Sequence, residues 1–227
     1  NGGEWEKAFD YLVRSGDKAK DAYANQAALD FYARALEAAP RVTPPVPAKR
    51  VMEIHQRRSQ VWLLLSRYPE AIAESEKMRE VARAAGDRRG EGEALVDLAL
   101  VHWGTFSMEH IPHVQRCAEE ALSIAQEIGD QRVLARSLWG LGLVDQLDGK
   151  LFEADRKMEE SLRIGEAGGF KNIIVPNQVW LGGHANWRGE FGAAVPLLRQ
   201  AEAAAREIHD GFHELLALAF RCLSHIG

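Results

Sequence analysis

The sequence has no run approaching the roughly 18 to 20 consecutive apolar residues that a membrane span needs, and no short apolar run behind a basic start. Neither a membrane helix nor a secretory signal is expected, and the chain reads as cytoplasmic. It lacks any basic excess: 28 Lys and Arg stand against 33 Asp and Glu, a formal net charge of −5. A protein that neutralises a phosphate backbone carries the opposite balance, so nucleic acid is not an expected direct partner. Cysteine is almost missing. Cys117 and Cys222, far apart in a chain with no secretory mark, read as reduced buried thiols. Eight prolines and twenty glycines are too few for an all-β chain. The one candidate strand, Asn172-Ile173-Ile174-Val175, is short and runs into Pro176, where a helix could start.

Catalytic motifs are also lacking. Gly149-Lys150 is followed by Leu151 and has no glycine five positions before it, so no phosphate loop is present, and no Gly-x-Ser-x-Gly elbow occurs. Neither cysteine sits in a nucleophile motif. His102, His110 and His113 read as three half-exposed histidines near an extended loop, because no cysteine pair or carboxylate-histidine motif completes a metal site. His209 and His213 have ligand-like spacing, but Asp210-Gly211 breaks the helix between them. Glu119-Glu120 and Glu159-Glu160 read as solvated helix faces. No enzyme, metal or cofactor is expected.

What is present is a series of segments rich in Ala, Leu, Glu and Arg, separated by regular punctuation. Gly86-Asp87, Gly129-Asp130, Gly168-Gly169 and Asp210-Gly211 follow one another at spacings of 43, 39 and 42 residues. A glycine closes one helix in the left-handed conformation and an Asp caps the next. The segment 40–47, with four prolines, reads as a stiff connector. Within each period one helix carries a small residue, a larger one four positions on, and a small one after three more. The copies are Ala28, Tyr32, Ala35; Ala71, Ser75, Met78; Val114, Ala118, Ala121; Ala154, Met158, Ser161; and Ala194, Leu198, Ala201. The anchors 28, 71, 114, 154 and 194 lie 43, 43, 40 and 40 residues apart. These spacings put the side chains on one helical face, where small residues admit a close neighbour. A period in this range means a helical repeat array.

With Leu138, Leu141, Gly142, Gly149 and Phe152 ahead of Ala154, and Leu181, Gly182, Gly189 and Phe191 ahead of Ala194, the pattern resembles the tetratricopeptide repeat. Ser59 stands in the glycine position of the second copy, and the segment 103–108 lengthens the turn of the third. The resemblance implies an all-α, right-handed superhelix of about five antiparallel helix pairs. The expected organisation is one domain over 1–227, with repeats near 4–40, 48–87, 88–130, 131–169 and 170–210 and a partial helix over 211–227. Residues Phe212 to Ile226 read as the first helix of a pair whose partner is missing. With no initiator Met, a fragment of a longer polypeptide is expected.

The opening from Trp5-Glu6-Lys7-Ala8-Phe9 through Ala27-Ala28-Leu29-Asp30-Phe31-Tyr32 is similar to the segment after the nucleotide-switch module of large bacterial signalling ATPases. These include maltose-activator-type regulators and proteins with an adenylate/guanylate cyclase domain. The resemblance implies a sensor or scaffold arm of a larger signalling or transcription-regulating protein.

Such an array binds by shape, through a concave surface lined by the first helix of each pair. The register nominates Gln56, Gln60, Leu63, Arg136, Trp139, Leu143, Gln146, Val179 and Asn186 as partner-binding residues. Trp139 stands out because Trp is enriched at interface hot spots, although packing between repeats is the commoner use of such a residue. Trp62, Trp103, Trp180 and Trp187 are read mostly as core. Receptors of chaperone tails carry a lysine and asparagine clamp where this chain has Gln56, Gln60, Trp139 and Leu143, which argues against that role. The expected function is a non-enzymatic interaction scaffold for a peptide, a protein, or another domain of the same polypeptide. Two copies pairing through exposed repeat ends is a further expectation. The rival reading is a small-molecule effector sensor, which a deep cavity with convergent polar groups would favour.

Overall fold

A computed structural model describes residues 2–105 and 107–224; Phe106 and Ile226 of the segments discussed above lie outside the described residues. Those residues form eleven α-helices and two short 3₁₀ turns, with no strand among them. Two compact units divide at Ile124/Ala125. The first holds α1 (Gly2–Asp21), α2 (Asn25–Ala38), α3 (Ala48–Leu64), α4 (Tyr68–Ala84), α5 (Arg88–Gly104) and most of α6 (Ile111–Ile128). The second holds α7 (Gln131–Leu147), α8 (Leu151–Gly168), α9 (Lys171–Trp187), α10 (Phe191–Glu207) and α11 (Gly211–Leu223).

The punctuation does its expected work. Gly86 and Gly129 sit at φ +66° and +70°, in the left-handed region that a Cβ disfavours. Asp87, Asp130 and Asp210 then cap α5, α7 and α11, accepting from Gly90 N at 2.8 Å, Val133 N at 2.9 Å and His213 N at 3.1 Å. Between α8 and α9 it is Gly169, not Gly168, that takes the positive φ. The proline segment is irregular from 42 to 47 after a 3₁₀ turn at Ala39–Arg41, and Val42 and Val46 pack on the core of the first unit.

Asn172 to Val175 is the first turn and a half of α9, which starts at Lys171 rather than at Pro176. Read alone, the run is only a weak strand candidate, being short although apolar and β-branched. It is helical because Ile173 and Val175 are buried, and because Pro176 deletes a single amide near the helix start. One thiol differs from the expectation too. Cys117 is buried and burial raises its pKa, whereas Cys222 is exposed.

The helix pairs mesh through one repeated contact. The fourth, eighth and eleventh residues of each second helix form the small-large-small stripe, and all of Ala154, Met158, Ser161, Ala194, Leu198 and Ala201 are buried. The facing position on the first helix is its twelfth residue in α3, α7 and α9, and Gly16 in α1. Where the second helix offers a bulky eighth residue, the facing residue is glycine. A Cβ on Gly16 would fall 2.5 Å from Tyr32, on Gly142 3.0 Å from Met158, and on Gly182 2.7 Å from Leu198. In α3 and α4 both are small, and the Ser59 and Ser75 hydroxyls hydrogen-bond at 2.9 Å. The corresponding positions of α5 and α6 hold Ala99 and Ala118, both buried. Each of these contacts thus holds at most one bulky side chain. Gly182→Ala therefore overpacks the α9–α10 contact and is expected to lower unfolding free energy by about 1–3 kcal/mol, read from a urea titration.

Candidate functional site

The sixth, ninth, thirteenth and sixteenth residues of the first helices supply the nominated surface, and the two units treat them differently. In the first unit they remain accessible on α3. Gln56 and Leu63 are half-buried and Gln60 is exposed, spaced four and three residues apart on one face. Polar side chains bind this face to its neighbours on both sides. Gln56 Nε2 donates to Asp97 Oδ2 of α5 at 2.8 Å, and Lys20 Nζ of α1 donates to Gln60 Oε1 at 3.4 Å. Arg57 Nε lies 3.1 Å from Asp17 Oδ1 of α1, which also accepts from the Tyr32 hydroxyl at 2.7 Å. Burial first, then that carboxylate, raises the Tyr32 pKa, so the phenol stays a donor. The result is a polar ladder across α1, α3 and α5, with Gln60 and Leu64 exposed on it.

Lys20, Asp17, Arg57 and Asp97 were not nominated from the sequence. The signal was present, because Asp17 and Lys20 stand one 43-residue period before Gln60 and Leu63.

In the second unit three nominated residues have no surface to offer. Leu143 and Val179 are completely buried and Asn186 is nearly so. The cause on α9 is direct contact with α11. A Cβ on Gly183 would fall 2.7 Å from the Phe220 ring, Asn186 Nδ2 donates to the Phe220 carbonyl at 2.7 Å, and the Ser224 hydroxyl donates to Asn186 Oδ1 at 2.7 Å. These residues are packing and tie points, which corrects their reading as contacts. Arg136, Trp139 and Gln146 stay half-buried. The Trp139 indole nitrogen is buried without a hydrogen-bond partner. Gln146 Oε1 lies 2.9 Å from His184 Nε2, and the other imidazole nitrogen is 2.5 Å from Asp155. Arg188 holds the second Asp155 oxygen at 2.5 Å. Burial alone would raise the Asp155 pKa, but the His184 and Arg188 contacts outweigh it and hold it below the usual range. Trp187, expected in the core, is half exposed beside His184.

Of the three histidines of the third pair, His110 is half-buried as expected and His102 is not. His102 is buried, its ring 4.9 Å from that of His113 and 5.0 Å from that of His110, and its Nδ1 lies 2.7 Å from His110 Nδ1. Burial first, then the neighbouring His110, His113 and Arg116, pushes its pKa down to about 4. Among the described residues no group of three or more His, Cys, Asp or Glu is arranged to hold a metal ion. A surface depression of about 580 Å³ in the second unit is lined by Leu138 and five charged side chains, Arg156, Lys157, Glu159, Glu160 and Arg163. No described helix is long and apolar enough to cross a membrane.

No family model and no curated protein matches the sequence. Solved structures match the fold. A Rap protein complexed with Competence and Sporulation Factor is 15% identical, with a TM-score of 0.71 over 91% of this chain and 56% of its own. The Rap conjugation gene regulator of plasmid pLS20, in complex with the Phr* peptide, is 16% identical, with a TM-score of 0.73 over 92% of this chain and 56% of its own. A signal transduction ATPase with numerous domains from Pyrococcus horikoshii, which has a tetratricopeptide repeat sensor, is 15% identical, with a TM-score of 0.64 over 95% of this chain and 32% of its own. The chain spans about half the length of the two Rap structures and a third of the ATPase. The fold is the all-α tetratricopeptide-type helical repeat.

Proposed function

We propose that this chain is a non-catalytic recognition module that binds a peptide in extended conformation on the α1/α3/α5 face, within a larger cytoplasmic signalling protein. The observation that carries the reading is the pair Gln56 and Gln60 on consecutive turns of α3, each anchored through one amide atom to a neighbouring helix. Anchoring fixes each side chain and leaves its second amide function for a ligand, so little rotamer entropy is lost on binding. Residues four apart on a helix are about 6 Å apart, close to the rise of two residues in an extended chain. Two such amides therefore meet alternate main-chain groups of a peptide. Leu63 and Leu64 supply apolar contact at the end of the row. The Phr* peptide complex of one similar structure is compatible with this reading.

The test passes a randomised decapeptide pool over the immobilised chain and sequences what is retained. Retention is expected, and individual retained peptides are expected to bind the Gln56→Ala/Gln60→Ala double variant at least about tenfold more weakly at unchanged helicity, the loss of about two modest hydrogen bonds. Undiminished binding by the double variant refutes the assignment of this face.

A further inference from the structure

Four of the helix pairs turn over in the same way. The amide of the bend residue donates to the carbonyl three residues back, Tyr23 to Lys20, Ser66 to Leu63, Gly149 to Gln146 and Gly189 to Asn186, at distances between 2.9 and 3.1 Å, and the following amide donates to the carbonyl five back. All four bend residues take a left-handed φ, at +57°, +56°, +76° and +76°. The second unit places glycine there, the residue this conformation favours, and the first unit places Ser66 and Tyr23. A bulky side chain in the left-handed region is a strained outlier, and the Tyr23 side chain is 83% exposed, so burial does not offset the strain. His209 also has a positive φ, but it follows α10 at a different bend and is of a residue type that this region tolerates better.

The place of the ring in the repeat gives it a use. Tyr23 and Ser66 are one 43-residue period apart, as are Lys20 and Leu63. Tyr23 therefore stands off the end of α1 where Ser66 stands off the end of α3, at the edge where the row Gln56, Gln60, Leu63 runs out and Leu64 is 64% exposed. One residue ties Tyr23 to that row, since the Lys20 carbonyl accepts its amide and Lys20 Nζ donates to Gln60. We propose that Tyr23 determines specificity on the recognition face, its ring together with Leu64 taking an apolar side chain of the bound peptide just beyond the residues held at Gln56 and Gln60. The inference rests on the assignment of peptide binding to the α1/α3/α5 face. A tyrosine offers a large contact surface with only two side-chain torsions to fix, and the bend sets its backbone outside the helix. Glycine at the same place relieves the strain and offers no surface, which accounts for a bulky residue where the second unit has none.

The test selects decapeptides from the randomised pool on the immobilised chain and on its Tyr23→Gly and Tyr23→Phe variants. Peptides retained by the unsubstituted chain are expected to be enriched in Leu, Ile, Met, Phe or Trp at one position of the aligned sequences. Tyr23→Phe is expected to keep the enrichment, and Tyr23→Gly to lose it and to bind the same peptides about tenfold more weakly. Because glycine relieves the left-handed bend, the urea midpoint of Tyr23→Gly is expected to be unchanged or higher, so that stability and binding move apart. A merely structural ring would move them together, and a lower midpoint accompanying the lost binding overturns the proposal. Unaltered enrichment and affinity in Tyr23→Gly also overturn it, and if Gln56→Ala/Gln60→Ala still weakens the same peptides, the assignment of the face survives. Peptides indifferent to both variants refute the face and this inference with it.

Discussion

Glu74→Ala is expected to lower the unfolding free energy of this chain by about 3–5 kcal/mol, seen as a shift of the urea midpoint monitored by circular dichroism. Glu74 is 3% exposed between α3 and α4 and is the acceptor for two cationic or dipolar groups. His55 Nδ1 lies 2.7 Å from one oxygen and Arg58 Nη2 3.0 Å from the other, with Lys77 at 3.4 Å on the rim. Burial on its own would raise the carboxyl pKa, yet the hydrogen bonds from His55 and Arg58 outweigh it and bring the value down to about 2. Removing the carboxylate leaves the half-buried Arg58 guanidinium and the His55 ring without their acceptor, and Arg58 Nε is already unpartnered. An uncompensated buried charge costs more than the pair contributes, which sets the size of the effect. Glu74→Gln retains a neutral acceptor and is expected to cost less than half as much. A loss under 1 kcal/mol for the alanine variant would show that water relaxes around Arg58.

The second large effect is a loss of stability on mild acidification that His102 accounts for. Its folded pKa of about 4 lies below the ordinary value of 6.5. Folding therefore favours the neutral ring, and the unfolded chain takes up the proton first as pH falls. The contribution is fully present above about pH 6.5 and is lost as pH drops toward 4. At pH 4.5 the loss relative to pH 7 amounts to about 2.5 kcal/mol. The groups acting on the ring from the following turn and from α6 are His110, His113 and Arg116, each of which lowers its pKa further, so none of them relieves the penalty. The lowered carboxyls of Glu74, Asp155 and Asp210 have ordinary values of 4.5 or below, so their contributions stay constant through most of this window and decline beneath it. Denaturation at intervals from pH 7 to 4.5 is expected to show a falling midpoint, with most of the slope removed in His102→Asn. An unchanged slope in that variant assigns the acid sensitivity elsewhere.

The helices were legible because their signals are local. A left-handed glycine followed by Asp at 86–87 and 129–130 closes one helix and caps the next, whatever the rest of the chain does. The small-large-small stripe was legible for the same reason, since a glycine facing Met158 or Leu198 leaves a mark in both helices. The segment from Ile173 to Val175 is ambiguous read alone, because periodicity cannot separate a short buried strand from a helix covered on several sides. Burial of the nominated face depends on the next repeat, and there local reasoning stopped. Val179 and Asn186 occupy the same register as Gln56 and Leu63, but α11 lies on α9 closely enough to cover them. One sequence mark of that approach existed. Gly183 stands where α3 has Gln60, and a helix that gives up a side chain at an inner position does so to admit a neighbour, here the Phe220 ring. The histidine cluster was hidden differently, because it forms only where the Met108–His110 turn and the first turn of α6 bring His110 and His113 against His102.

The central claim is that ligand recognition resides on the α1/α3/α5 face, and hydrogen exchange with and without a retained decapeptide tests it most directly. The account predicts protection concentrated in 56–65, at the exposed end of α3, with smaller changes near 17–23 and 97–104 and none over α9. Protection confined to the second unit, with 56–65 unchanged at saturating peptide, would contradict it.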